Sequence, residues 1–348
     1  MNFHYFRKFL SDFIFIPLVV FCIFNIPLVV YGIQMGKGQL SIVWQARSVK
    51  DVLLDPTIAD SVKIKLKVIQ EIRQFAFEKI GLTPTDNYTT FYDQNGKQII
   101  YVVTACAPFA LKPNLWHFPV LGAVPYKGFF NLEKAKKEER KMNLLGLDTD
   151  LGGASGWSTL GFFKDPVLSQ MLSRNEGDLA ELIIHELTHG TIFVKDNVDL
   201  NENLASFIGN KGAILFLKQK YGTESKELIN YLAHKEDELK IEKYMLSCAH
   251  RLDSLYQQML PELNLNRKNN YKKQMFNSFI ENAKTLVLSR DSLFPSRLQK
   301  RINNAGNAFI MHYVRYGSKQ HDFEEEFKKF NGDLLKYVEL MKAKHLKN

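Results

Sequence analysis

Two histidines four residues apart, with a glutamate directly after the first, stand in Asp178-Leu-Ala-Glu-Leu-Ile-Ile-His185-Glu186-Leu-Thr-His189. Leu179, Leu182, Ile183 and Leu187 recur there at helical spacing, which predicts an amphipathic helix. On such a helix positions i and i+4 lie one above the other, so both imidazoles reach a single ion. Glu186 then stands beside that ion, placed to take a proton from water. The pattern predicts one Zn2+ held by His185 and His189, with Glu186 as catalytic base. It also dictates topology, because a catalytic zinc takes three protein ligands and a second segment must fold back to supply the third.

Asn201-Glu-Asn-Leu-Ala-Ser206 is the leading candidate segment, with Glu202 as ligand. The residues between Gly190 and Asn201 let one helix turn and a second lie alongside it. Asp196, Asp199, His250 and His312 are the rivals, and Asp199-x-x-Glu202 also fits an acidic helix start.

Length and composition set the frame. A chain of 348 residues, 45% hydrophobic and 24% charged, is globular and has ample length to bury a core. The net charge of +9 reads as a lysine-rich solvated surface rather than a nucleic-acid interface, since no such module is visible. Cys22, Cys106 and Cys248 show neither metal-ligand spacing nor a disulfide framework. Pairing of Cys106 with Cys248 stays open.

From Phe13 to Ile33 the chain carries no charge, a run long enough to cross a bilayer. It predicts one N-terminal transmembrane helix anchored in membrane lipid. Residues 1–12, with Arg7 and Lys8, form a short cytoplasmic tail, and residues 34–348 lie outside. The expected location is the bacterial inner membrane, single-pass, with the catalytic domain on the periplasmic side.

Helices are expected over 39–54, 59–80 and 132–145. The last third reads as helix over about 201–220, 225–260, 267–290, 295–317 and 321–345. Strand-like Tyr88–Tyr92 and Gln98–Thr104 flank Asp93-Gln-Asn-Gly96 and predict a hairpin. Asp165-Pro166 is expected to open a short helix. The fold class is mainly α (α+β): one domain over 34–348 with a small sheet upstream of the metal helix.

His-Glu-Leu-Thr-His189 followed by Asn-Glu202-Asn-Leu-Ala is similar to the gluzincin pattern. The wider ordered set resembles the bacterial Aminopep family of aminopeptidases, gluzincin-like zinc metallopeptidases. It comprises Gly38-Gln-Leu40, Ile72-Arg-Gln-Phe-Ala76, Trp116-His-Phe-Pro119, Tyr126-Lys-Gly128, Trp157-Ser-Thr-Leu-Gly161, Asp165-Pro166 and Asn303-Asn-Ala305. The resemblance implies a zincin-like metallopeptidase domain, attached to the membrane and facing the periplasm, that acts on peptide or protein substrates. Its members often carry a lipoprotein-type signal where this chain has the apolar span.

Further site residues follow with their competing structural roles. Tyr313 and His312 are candidate donors to a developing oxyanion, against a role in helix packing. Trp157, Ser158 and Thr159 are candidate substrate-binding residues on an edge strand, against a buried turn. Trp116, His117 and Tyr126 line a pocket or belong to the core. Glu181, one turn before His185, is either an anchor for a substrate ammonium or a support for the metal ligands. Three functions compete on this reading: an aminopeptidase, an endopeptidase of envelope protein turnover, and a non-catalytic envelope scaffold with a structural metal.

Overall fold

The structure, a computed structural model, describes residues 24–118, 122–153, 164–195, 197–260, 262–316 and 320–345. The chain divides into two compact units, residues 1–45 and 46–348. In the first, one helix, α1 (Ile26–Gln45), is described. Its apolar run ends at Gln34, and Lys37 between two glycines follows. That leaves far fewer than the roughly 20 apolar residues a spanning helix needs. No described helix is long and apolar enough to cross a membrane. This corrects the expected transmembrane helix over 13–33, the contact with membrane lipid and the single-pass inner-membrane location. Residues 1–12 and the 13–23 part of that run lie outside the described residues.

The second unit is mainly helical with three small sheets among the described residues. Its helices are α2 (Val49–Leu54), α3 (Asp60–Phe75), α4 (Leu132–Leu144), α5 (Glu176–His189), α6 (Val198–Tyr221), α7 (Lys226–Gln258), α8 (Leu265–Ala283), α9 (Phe294–Tyr316), α10 (Gln320–Lys328) and α11 (Leu334–His345). α3 buries one face through Leu66, Ile69, Ile72 and Phe75. A π-helical turn, Ala76–Ile80, extends α3. The expected last helix is two, because Asn331 and Gly332 both take positive φ and turn the chain between α10 and α11.

The first sheet has the order β1 (Arg47–Ser48), β2 (Thr90–Tyr92), β8 (Val167–Leu168). β3 (Tyr101–Cys106) lies between β6 (Lys127–Phe129) and β7 (Asp148–Gly153), antiparallel to both. β4 (Trp116–Phe118) and β5 (Gly122–Val124) pair alone. The expected hairpin therefore does not form. Its turn is present, with Asn95 and Gly96 at positive φ, but β2 pairs parallel to β8 and β3 joins another sheet. The buried Gln94 holds the strands apart: its N–H donates to Ser169 Oγ at 2.9 Å, and its Oε1 accepts from the Gln170 N–H at 2.9 Å. After Asp165-Pro166 the chain forms β8 and a 3-10 turn, Ser169–Ser173, not a helix straight away.

Two helices carry the site. Asn175 caps α5 by accepting the Asp178 N–H at 2.9 Å, and Asn197 caps α6 by accepting the Leu200 N–H at 3.1 Å. Leu179, Ile183, Ile184 and Leu187 bury the inner face of α5. Gly209 lets α6 come up against it, since a Cβ there would stand 2.9 Å from Glu181 O and 3.2 Å from His185 Cβ.

Candidate metal centre

α5 turns His185, Glu186 and His189 to one half-buried face. The two Nε2 atoms lie 3.1 Å apart. Across from them α6 presents Glu202, whose two carboxylate oxygens stand 3.5 Å from His185 Nε2 and 3.5 Å from His189 Nε2. One ligand atom from each of the three lies within 4.8 Å of the others, so the group is able to hold a metal ion. Two imidazole nitrogens and a carboxylate oxygen are a donor set that suits zinc. Because Asn197 caps α6, Glu202 sits a turn inside the helix, and the competing cap role falls to another residue. Among the rivals, Asp199, His250 and His312 are exposed and outside the cluster, and Asp196 lies outside the described residues.

Burial and the mutual charges of the four groups set their electrostatics. A hydrogen bond with His185 lowers the Glu202 carboxyl against the effect of burial, and His189 adds to the lowering. Burial pulls His185 down, but the Glu202 bond and the charges of Glu186, Glu202 and Glu181 outweigh it and leave His185 raised. His189 drops to about 4 through burial and the adjoining His185. Burial pushes Glu186 up to about 7, helped by Glu202 and Asp165 and opposed by His185. A carboxyl balanced near neutrality suits proton transfer in either direction.

Ser206, one turn beyond Glu202, was not foreseen as a site residue. Its Oγ lies 3.4 Å from His185 Nδ1, within reach to accept an Nδ1–H in the tautomer whose Nε2 is free for a metal. A signal for it exists in the sequence: Glu202, Ser206 and Gly209 fall at i, i+4 and i+7, one helix face.

The other expectations fall as follows. Glu181 is engaged on α7, accepting the Tyr231 hydroxyl at 3.0 Å and lying 2.6 Å from Lys235 Nζ. It ties α5 to α7 in the supporting role. Trp116 is buried and donates its indole N–H to Glu138 at 2.8 Å, while His117 and Tyr126 are exposed. Tyr313 packs edge-on to Phe309, ring centroids 5.6 Å apart, against the core of α7, α8 and α9. His312 is exposed and edge-on to Tyr313. The structure does not gather these two into the metal cluster. Trp157, Ser158 and Thr159 lie outside the described residues. Cys106 and Cys248 are buried free thiols.

The model of the Aminopep family, described as "Putative aminopeptidase", matches residues 30–347. The chain belongs to that family. Comparison with curated proteins and with solved structures finds no match. Membership supports a peptidase, and the metal-capable group lies well inside the matched region.

Proposed function

We propose that the protein is a zinc-dependent aminopeptidase whose metal is held by His185, His189 and Glu202, with Glu186 as general base. The observation that carries this is the convergence of two imidazole nitrogens and a carboxylate, with a second glutamate, Glu186, on the helix that bears both histidines. When bound, zinc would lower the pKa of a water molecule and polarise the scissile carbonyl. Glu186 takes the proton from the attacking water and hands it to the departing amine. Ser206 and the close approach at Gly209 keep His185 aimed. Tyr313 and His312 stay as candidates for the donor that the developing oxyanion requires.

A structural metal site has no use for a base at Glu186, which weighs against a pure scaffold. The endopeptidase reading is favoured by one observation: Glu181, the candidate anchor for a substrate ammonium, is already bonded to Tyr231 and Lys235. Cleavage of free against N-acetylated peptides by the purified, zinc-loaded full chain separates the two. An aminopeptidase cuts only the free peptides; equal cleavage of both identifies an endopeptidase.

A further inference from the structure

The connection from α5 to α6 has to deliver Glu202 to the histidines, and its bonds fall into two sets. At the end of α5 the Thr191 hydroxyl donates to Leu187 O at 3.0 Å, and the Ile192 N–H donates to Thr188 O at 2.8 Å. The Thr83 N–H donates to Thr191 Oγ1 at 2.9 Å, and Thr191 and Ile192 are both buried. These bonds fix the path of the chain as it leaves His189.

The second set joins the connection to α6. The Val194 N–H donates to Asn201 Oδ1 at 2.8 Å, and Asn201 Nδ2 donates to Val194 O at 2.8 Å. One carboxamide thus meets both backbone groups of one residue, as a neighbouring strand would. Asn201 is buried, at 5% exposure, where a carboxamide stripped of its partners costs stability. Asparagine suits the place because it offers a donor and an acceptor at this reach. An ionised aspartate has no proton to give, and glutamine is a methylene longer.

Glu202 is the next residue. Neighbouring residues on a helix point about 100° apart, so Asn201 holds the connection while Glu202 faces the histidines, 3.5 Å from each Nε2. The Glu202 side chain is 38% exposed, so its place depends on the backbone beneath it more than on packing around it. Gly209 brings α6 against α5 two turns further on, and Asn201 ties the helix down just before Glu202. Two such points fix a helix axis, and the ligand lies between them. We propose that Asn201 is a positioning residue for the metal ligand Glu202, its two bonds to Val194 setting where α6 starts relative to His185 and His189. The proposal rests on the reading of Glu202 as a metal ligand.

The test measures the zinc affinity of the full chain by competition with a chelating dye, for wild type, Asn201→Ala, Glu202→Ala and the double variant. Asn201→Ala is expected to bind zinc about 10–100-fold less tightly than wild type. In the Glu202→Ala background the same change is expected to alter the affinity by less than about twofold, because the ligand it positions is gone. A general loosening of the fold weakens binding in both backgrounds, so equal losses would overturn the proposal. Asn201→Asp, a second variant of nearly the same size, keeps the acceptor for the Val194 N–H and loses the donor to Val194 O. Its added negative charge near a cation tightens binding by itself, whereas misplacing Glu202 weakens it. Binding about tenfold weaker than wild type is expected for this variant; binding as tight as wild type or tighter would overturn the proposal. It carries the test if Asn201→Ala does not fold. A wild type that takes up no zinc defeats the metal-site reading and this proposal with it. A wild type that binds zinc, with an Asn201→Ala chain that binds it equally, defeats the positioning role alone.

Discussion

Two polar clusters lie within residues 46–348, and they are built to opposite rules. Around Asp148 donors and acceptors are paired with one another. Its Oδ2 accepts Lys272 Nζ at 2.5 Å and the Asn307 N–H at 2.6 Å. Asn307 Nδ2 donates to Ala107 O at 2.9 Å and Pro108 O at 3.1 Å, and the Tyr256 hydroxyl donates to Asn307 Oδ1 at 2.8 Å. Gly306, at φ +50°, makes room for Asp148, because a Cβ there would collide with its carboxylate. This cluster joins α7, α8 and α9 to the sheet of β3, and it is closed. Around Glu202 no such closure exists among the described residues: two imidazole nitrogens and a carboxylate oxygen lie within 4.8 Å of one another. Saturated partners mark a structural tie; clustered metal-ligating atoms mark a place for a cation.

Four outcomes break or sharpen that contrast. The largest effect is expected at Glu186→Gln, which should lower kcat on a susceptible peptide by about 10²–10⁴-fold while zinc stays bound. Peptide hydrolysis alongside metal analysis checks it; full activity in this variant removes Glu186 from the mechanism. Lys272→Met should cost about 2–3 kcal/mol of unfolding free energy, since it strands Asp148 in a pair that is only partly exposed. Denaturant melts check that, and zinc affinity should not move; a shift there would mean that the two clusters are coupled. Ser206→Ala should weaken zinc binding by about 10–100-fold with little change in the metal-free melt, as read by competition with a chelating dye. The smallest expected effect is that of reductant. With Cys106 and Cys248 both free, thiol treatment should leave the unfolding midpoint within about 1 °C.

The metal end of the contrast was legible because its chemistry is local. His185, Glu186 and His189 share one helix, so periodicity and spacing lead to them, whereas bringing Glu202 rather than Asp199, His250 or His312 to the histidines took the packing of α6 on α5. The closed cluster was not legible, because Asp148, Lys272 and Asn307 meet only through tertiary folding across more than a hundred residues. Tyr88 was misjudged for a related reason: it reads as an ordinary strand residue, yet its backbone is left-handed, with its N–H bonded to Asp165 O. The hairpin failed because a good turn does not decide strand partners: Gln94 bonds to the Ser169–Ser173 turn instead. The membrane span was read from an uncharged run alone, whereas the described helix turns polar at Gln34 and Lys37.

The central claim is that α5 and α6 together make a metal site, and equilibrium dialysis against zinc tests it most directly. The wild-type chain should bind one zinc. Glu202→Ala should bind it more than about 100-fold less tightly, a larger loss than removing a supporting group such as Ser206. A wild type that takes up no zinc, or a Glu202→Ala variant that binds it as tightly as wild type, would contradict the account.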